Sequence, residues 1–224
     1  MRSGHAVAAV VGAWALAAMV LAQNPASVLN LTATTANVAG APDSVRIEIL
    51  RWSTDEERQR LLSAWTVKPP PAAAPAPGRG AAKQGKGAAK GAPVAAVVTP
   101  DAALTSALQE APTVGYLWSS EIAGYALRYA GKVANPDGSQ RIVLITQRRL
   151  GAANQLWKPS FEGEPNSYEF SVIELRLNAK GEGEGRASLT GKIAPDDSLK
   201  IVTIENMQAL PAVLRDVRVP SAHP

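Results

Sequence analysis

Cysteine is absent from this 224-residue sequence, and histidine occurs only at His5 and His223, close to the two ends. The first absence excludes disulfides, a cysteine nucleophile and thiolate metal sites. The second leaves a Ser-His-Asp triad, a histidine general base and a histidine-ligated metal without a residue in the expected folded body. Any catalysis would depend on carboxylates, lysine, serine or tyrosine, and no cofactor is expected.

The sequence also lacks the charge distribution of a nucleic-acid-binding domain. Its formal net charge is +4 at pH 7. However, residues 67–98 carry five basic residues and no acidic one, and residues 1–22 carry one basic residue. The remaining chain holds 17 basic and 19 acidic residues. A nucleic-acid-binding fold concentrates basic residues on the fold itself, so no specific nucleic-acid partner is expected.

Residues 1–22 have the pattern of a secretory signal peptide. Arg2 supplies the positive charge, residues 6–21 form an apolar run, and Ala22 ends a small-residue cleavage pattern. A retained membrane anchor is the alternative, although the run is shorter than the ~20 residues of a spanning helix. Export without cysteine is typical of a bacterial protein of the periplasm or the exterior.

The segment 67–98, VKPPPAAAPAPGRGAAKQGKGAAKGAPVAAVV, is rich in proline, alanine, glycine and lysine and has no aromatic residue. Such a segment cannot bury enough apolar surface to offset the entropy of ordering. The sequence therefore predicts a disordered insertion. It is either a tolerated extension of a surface loop or, through the cations of residues 68–90, a weak contact with an anionic envelope polymer or membrane surface.

Helix-end signals flank this insertion on both sides. In WSTDEERQRLLSAW, Ser53 or Thr54 is expected to cap a helix, and Glu56 or Glu57 completes a capping box. In TPDAALTSALQEAP, Thr99 is the expected cap, and prolines stand at the first helical position and after the last one. The two helices are expected to pack as a hairpin.

Alternating apolar residues predict strands in most of the remaining chain. The clearest are VRIEIL from Val45, GYLW from Gly115, RIVLITQRR from Arg141 and YEFSVIELRLN from Tyr168. Tight turns such as NPDG make neighbouring strands antiparallel. The predicted fold class is mainly β (α+β), an antiparallel barrel or sandwich of about seven or eight strands with the helical hairpin. Residues 23–66 and 99–220 are expected to form this single domain.

The glycine-rich stretch GEGEGRASLTGKI (residues 181–193) invites comparison with a phosphate or calcium loop. A P-loop has four residues before its Gly-Lys and a hydroxyl after it, but five residues separate Gly185 from Gly191, and Ile193 follows the lysine. An EF-hand loop here would have lysine and leucine where oxygen ligands belong. We interpret the stretch as a connection between a strand ending near Leu177 and a strand RASLTGKI.

Paired carboxylates are the enzymatic route that remains. Glu162, Glu164 and Glu169 cluster around the irregular loop LGAANQLWKPSFEGEPN. A carboxylate-dependent hydrolase needs two acids that face each other across a cleft, and the sequence does not fix their separation.

Aromatic residues make up only 5% of the chain. The candidate ligand-contact residues are Tyr116, Trp118, Arg148, Arg149 and Trp157, with Tyr125 and Tyr129 in the same platform. Aromatic rings beside arginines can stack on sugars, bases or peptide side chains. The alternative is that the core uses most of these few rings.

Four stretches, RIEILRWSTDEER, GYLWSS, RIVLITQRRLG and FSVIELRLNAKGEGEG, occur in this order along the chain. Through them the sequence resembles a family of uncharacterised exported bacterial proteins, apart from the leader and residues 67–98. The resemblance implies no activity and no site residue. We therefore expect a non-enzymatic periplasmic or secreted binding or interaction protein. The alternatives are a carboxylate-dependent hydrolase of an envelope polymer and a structural accessory of the cell envelope.

Overall fold

The structure, a computed structural model, describes residues 27–66, 99–152, 156–198 and 200–220. The predicted signal peptide at 1–22 and the predicted disordered insertion at 67–98 lie outside the described residues. The described elements, in chain order, are β1 (Leu29–Thr35), β2 (Val38–Ala39), β3 (Ser44–Ile49), α1 (Asp55–Trp65), α2 (Pro100–Glu110), β4 (Gly115–Trp118), β5 (Gly124–Ala134), β6 (Gln140–Thr146), β7 (Lys158–Pro159), β8 (Val172–Leu177), β9 (Gly183–Ala187), β10 (Ile193–Asp196), β11 (Ile201–Ile204) and β12 (Leu214–Arg218).

Eight of these strands close into an antiparallel barrel in the order β1-β12-β9-β8-β6-β5-β4-β3. The barrel closes because β1 pairs with β3 on one side and with β12 on the other. Strands from both predicted parts of the domain, 23–66 and 99–220, therefore belong to one sheet. The prediction of a mainly β antiparallel fold with about seven or eight main strands is confirmed by the eight-stranded sheet, and the structure selects the barrel over the sandwich.

Side chains that point inward fill the barrel. Leu31 pairs with Ile47, Ile47 with Leu117, and Leu117 with Tyr125, so that four neighbouring strands contribute one layer of the core. All four residues are buried. Side chains alternate between the two faces of a strand. The apolar residues at every second position of these four strands therefore all point into the barrel. Each buried leucine or isoleucine contributes about 1.5–3 kcal/mol relative to an exposed one.

A second apolar cluster lies on the outside of the barrel. Outward side chains of β5, β6 and β8, such as Tyr129, Val143 and Val172, pack against the helices and against the β10–β11 hairpin. Leu104 of α2 is fully buried there. We call the outer face of β5, β6 and β8 the covered side. We call the outer face of β1, β3 and β4 the open side, where outward side chains are polar or aromatic and at least partly exposed.

Both predicted helices are confirmed, and they pack against each other as a hairpin. Thr54 is the cap of α1, and its Oγ1 accepts a hydrogen bond from the backbone N of Glu57 at 3.2 Å. The Glu57 carboxylate accepts from the backbone N of Thr54 at 2.9 Å, which completes the capping box. In the described ranges, neither helix has the length and apolar character of a membrane-spanning segment.

Two predicted strands have different bounds. The strand predicted from Tyr168 begins at Val172, because Ser171 donates its backbone N to the Thr146 side chain and the ladder starts only after it. The strand predicted as RASLTGKI is interrupted between Ala187 and Ile193. There the Asn166 side chain donates to the carbonyls of Ser188 and Gly191, and the chain leaves the barrel to form the β10–β11 hairpin.

The glycine-rich stretch is only partly a connection. The turn itself spans residues 178–182, where Asn178 Oδ1 accepts from the backbone N of Lys180 at 2.8 Å. Gly183 and Gly185 instead lie within β9. A Cβ at Gly183 would overlap the backbone carbonyl of Arg176 on the neighbouring strand, so glycine is favoured there by close approach of the two strands rather than by a turn.

Candidate functional site

The structure separates the five candidate ligand-contact residues into two places. Tyr116 and Trp118 point outward from β4 on the open side, and Arg148 lies beside Tyr116. Arg149 and Trp157 lie at one mouth of the barrel, in the long connection between β6 and β8. Neighbouring arginines in the sequence therefore serve different surfaces.

Two cross-strand pairs of β3 and β4 form a compact surface on the open side. Arg46 is opposite Trp118, and Glu48 is opposite Tyr116. The two aromatic rings lie 5.2 Å apart between centroids, with an interplanar angle of 35°. Arg46 Cζ lies 5.6 Å from the centroid of the Trp118 ring, and Trp118 Nε1 donates to Glu48 Oε2 at 3.2 Å. We call these four residues the aromatic shelf.

Gly124 of β5 fixes the position of the Trp118 ring. A Cβ at Gly124 would lie 2.9 Å from Trp118 Cε3 and 3.1 Å from Cζ3. The indole therefore lies against the backbone of β5, and any larger residue would displace it. This contact gives the tryptophan a defined orientation on a rigid strand, which a loop would not provide.

Two grooves flank the aromatic shelf. The first measures about 500 Å³ and is lined by Trp118. Its polar lining residues are Thr32, Asp43, Ser44, Arg46, Ser119, Ser120 and Glu121. The second measures about 400 Å³ and is lined by Tyr116. Its polar lining residues are Gln109, Gln147, Arg148 and Glu169. The first groove thus combines one aromatic ring with hydroxyls and charged groups of both signs, and the second combines one aromatic ring with amides and charged groups of both signs.

Arg148 is held in place beside the second groove. Its Cζ lies 5.0 Å from the centroid of the Tyr125 ring, and its Nη2 donates to the Gly124 carbonyl at 3.3 Å. Tyr125 itself belongs to the core of the barrel, and Tyr129 is buried on the covered side. For these two rings the core interpretation of the sequence holds. Burial raises the pKa of the Tyr129 hydroxyl to about 12.

A separate cleft of about 420 Å³ lies at the mouth of the barrel, apart from the two grooves. Leu150 and Trp157 are buried in the barrel core at this end. The short ladder of β2 with β7 holds the connection against the loop between β1 and β3. The indole Nε1 of Trp157 is buried without a hydrogen-bond partner, and Arg149 Nη1 donates to the Asn166 carbonyl at 3.1 Å.

The three candidate glutamates do not line the same cavity, whether one of the two grooves or the cleft at the barrel mouth. Glu162, Glu164 and Glu169 are all exposed. Of the three, only Glu169 lines one of these clefts, where it accompanies Arg148. Among the described residues, no group of three or more His, Asp or Glu side chains could hold a metal ion.

A buried charge cluster on the covered side escaped the sequence prediction. Glu174 of β8 is fully buried and accepts from Arg141 Nε at 2.9 Å, Arg176 Nε at 3.1 Å and Thr203 Oγ1 at 2.6 Å. Arg141 Nη2 also reaches Asp196 Oδ2 at 3.1 Å.

Since Thr203 and Asp196 belong to β11 and β10, the cluster attaches the outer hairpin to the barrel. The signal for Glu174 was present, because the alternation of YEFSVIELRLN places it on the same side as two apolar residues.

Comparisons with models of protein families, with curated proteins and with solved structures give no match for this chain. Functional inference therefore rests on the geometry of the aromatic shelf, its two grooves and the cleft at the barrel mouth.

Proposed function

We propose that this protein is an exported, non-enzymatic binding protein of the bacterial periplasm or exterior, and that the aromatic shelf binds an extended glycan of the cell envelope. The observation that carries the proposal is the position of the shelf between two grooves. Trp118 lines one groove and Tyr116 lines the other. An extended ligand that runs from one groove to the other passes over both rings.

The polar groups around the shelf favour a sugar polymer over a nucleic acid. The grooves contain the acids Asp43, Glu121 and Glu169 beside the cations Arg46 and Arg148. A polyanion would meet three carboxylates here, whereas single-stranded nucleic acids are bound by grooves with an excess of positive charge. Flat apolar rings bordered by hydroxyl, amide and carboxylate groups suit the apolar faces and hydroxyl rims of sugars.

The exported location is supported by the sequence. The pattern of residues 1–22 and the resemblance to exported bacterial proteins both favour it. An envelope glycan is the polymer that an exported protein without disulfides meets in the periplasm. The cations of residues 68–90 would supply an additional, sequence-independent attraction to the same anionic envelope.

Co-sedimentation with purified peptidoglycan sacculi tests the proposal on the chain from residue 23 onward. We expect saturable binding that Trp118→Ala weakens about tenfold, because a stacking residue at the centre of an interface typically contributes at least 1.4 kcal/mol. Trp52→Ala is the matched control, since Trp52 packs against Lys132 away from the shelf, and it should leave binding unchanged. Binding should persist at 0.5 M NaCl, where exposed charge attraction is screened.

Three outcomes would contradict the proposal. Equal binding by the Trp118→Ala and Trp52→Ala proteins would exclude the shelf. Loss of binding on deletion of residues 68–90, with Trp118→Ala unchanged, would make the cationic segment the only contact. Release of soluble sugars from the sacculi, abolished by Glu121→Gln or Glu169→Gln, would identify a hydrolase instead.

A further inference from the structure

The cleft at the barrel mouth has apolar walls and a cationic rim. We call it the mouth cleft, and we define it by Arg149, Leu150, Leu156, Trp157, Lys158 and Leu189. Its volume of about 420 Å³ falls within the range of pockets that hold small molecules in proteins. The mouths of β-barrels are among the places where such pockets occur.

Trp157 combines a rare backbone conformation with an unpaired buried donor. Its φ is +62°, a left-handed value that is rare for a bulky residue. Only 2% of its surface is exposed, and its Nε1 donor is buried without an acceptor. Buried indole N–H groups ordinarily have partners. Strained backbone conformations cluster at active sites and ligand clamps, and an unpaired buried donor in a native structure requires an explanation.

Charge in the mouth cleft is of one sign. Arg149 and Lys158 are its charged lining residues, and no acid lines it. Arg149 uses one guanidinium N–H for the Asn166 carbonyl, and a guanidinium has five such donors. Arg149 and Lys158 thus line a cleft whose other walls are leucine, proline, glycine and tryptophan.

We propose that the mouth cleft binds a single-chain amphiphile with an anionic head. The alkyl chain packs against Leu150, Leu156 and Leu189, and the head group accepts hydrogen bonds from Arg149 and Lys158. A carboxylate and a phosphate have the same requirement for charge-assisted donors. This site is independent of the aromatic shelf, because it lies on different elements at one end of the barrel.

Calorimetric titration of the chain from residue 23 onward tests the proposal with four ligands below their micelle concentrations. Laurate and monododecyl phosphate should bind saturably. Dodecanol and dodecyltrimethylammonium have the same chain length without the negative charge, and should bind at least about tenfold more weakly. The tighter of the two anions indicates whether a fatty acid or a lipid phosphate is the natural ligand, and either preference supports the site.

Variants of adjacent residues make the test specific. Arg149→Gln and Lys158→Gln should each weaken laurate binding, by about tenfold for Arg149. Arg149→Lys keeps the positive charge and should retain most of the laurate binding. Arg148→Gln is the matched control and should have no effect, because Arg148 faces the shelf. Lys158 is exposed and makes only backbone contacts in β7, so its substitution leaves the fold intact even if Arg149→Gln does not.

The proposal is overturned by the absence of saturable anion binding. It is equally overturned if dodecanol or dodecyltrimethylammonium binds as tightly as laurate. Identical losses in Lys158→Gln and Arg148→Gln would also exclude the cleft as the binding place.

Discussion

The covered and open sides of the barrel have the same apolar side chains on the inside of the sheet but differ in the polarity of the side chains on its outside. On both sides, inward positions are apolar and buried. On the covered side, outward positions such as Val143 and Val172 are apolar as well, and the helices and the outer hairpin bury them. On the open side the equivalent positions are Thr32, Arg46 and Glu48. The outward residues, not the strands, therefore decide which part of the barrel receives a second layer and which part remains available to a ligand.

Glutamate occurs at an outward position on each side, and the two copies have different surroundings. Glu174 is fully buried and accepts from three donors. Glu48 is half-buried and accepts from Trp118 Nε1. The pair provides a direct measure of what the covering layer does to a charged group.

The largest expected effect is that of Glu174→Ala. Its removal leaves two arginines and a threonine without their shared acceptor, and loss of one partner from a buried ion pair costs about 3–5 kcal/mol. Glu48→Ala, the matched change on the open side, should cost less than about 1.5 kcal/mol. Urea unfolding of both variants measures the difference. Similar losses would mean that the covering layer does not isolate Glu174 from water.

Leu104→Ala should follow in magnitude. Leu104 is fully buried between the helices and the covered side, and truncation of such a leucine costs about 2–5 kcal/mol because it leaves a cavity. Ser106→Ala, at an exposed position of the same helix, should change the free energy of unfolding by no more than about 0.5 kcal/mol. Thermal unfolding followed by circular dichroism compares the two. An effect of Leu104→Ala as small as that of Ser106→Ala would show that the helices contribute little to stability.

Tyr129 should make the covered side sensitive to high pH. Burial raises its pKa to about 12, with a smaller lowering by Arg58. Because the folded-state pKa is above the unfolded value of about 10, the stabilisation is complete below pH 10 and is lost as the pH rises through 12. The two-unit difference corresponds to about 2–3 kcal/mol. Tyr129→Phe should remove this part of the pH dependence in urea unfolding between pH 9 and 12, and an unchanged slope would refute the assignment.

The smallest expected change in the free energy of unfolding comes from the residues that cap the two helices. Thr54→Ala removes the side-chain acceptor of a capping box and should cost about 1 kcal/mol. Thr99 occupies the equivalent position of α2 but makes no side-chain cap hydrogen bond, so Thr99→Ala should be close to neutral. Chemical denaturation of both proteins measures the pair. Equal losses would contradict the capping geometry of α1.

Local signals explain which parts of the fold could be predicted. The capping box of Thr54 and Glu57 and the proline at the first position of α2 are contained within a few residues, and both predicted helices are confirmed. Barrel closure was left open because it depends on the pairing of Thr32 with Arg218, at opposite ends of the described chain. The strand β1 was also missed, since LNLTATT alternates leucine with asparagine and threonine, which a loop also contains.

The aromatic shelf was harder to predict from the sequence, because its contacts also join residues that are far apart in the chain. Aromatic and arginine residues could be recognised as candidates by type, but their partners are distant in sequence. Arg46 and Gly124 define the position of Trp118 and were not singled out. Arg148 and Arg149 are neighbours in the chain yet face different surfaces.

Closure of the barrel also determines how a protein partner could recognise this molecule. A sheet with a free edge can be extended by a strand from another chain, so that main-chain hydrogen bonds supply the affinity. Here every barrel strand is already hydrogen-bonded on both sides, and among the described strands only the two-stranded ladders β2–β7 and β10–β11 have unpaired edges. The barrel itself is therefore protected from strand addition and edge-to-edge aggregation. Recognition on the barrel surface therefore depends on side-chain contacts.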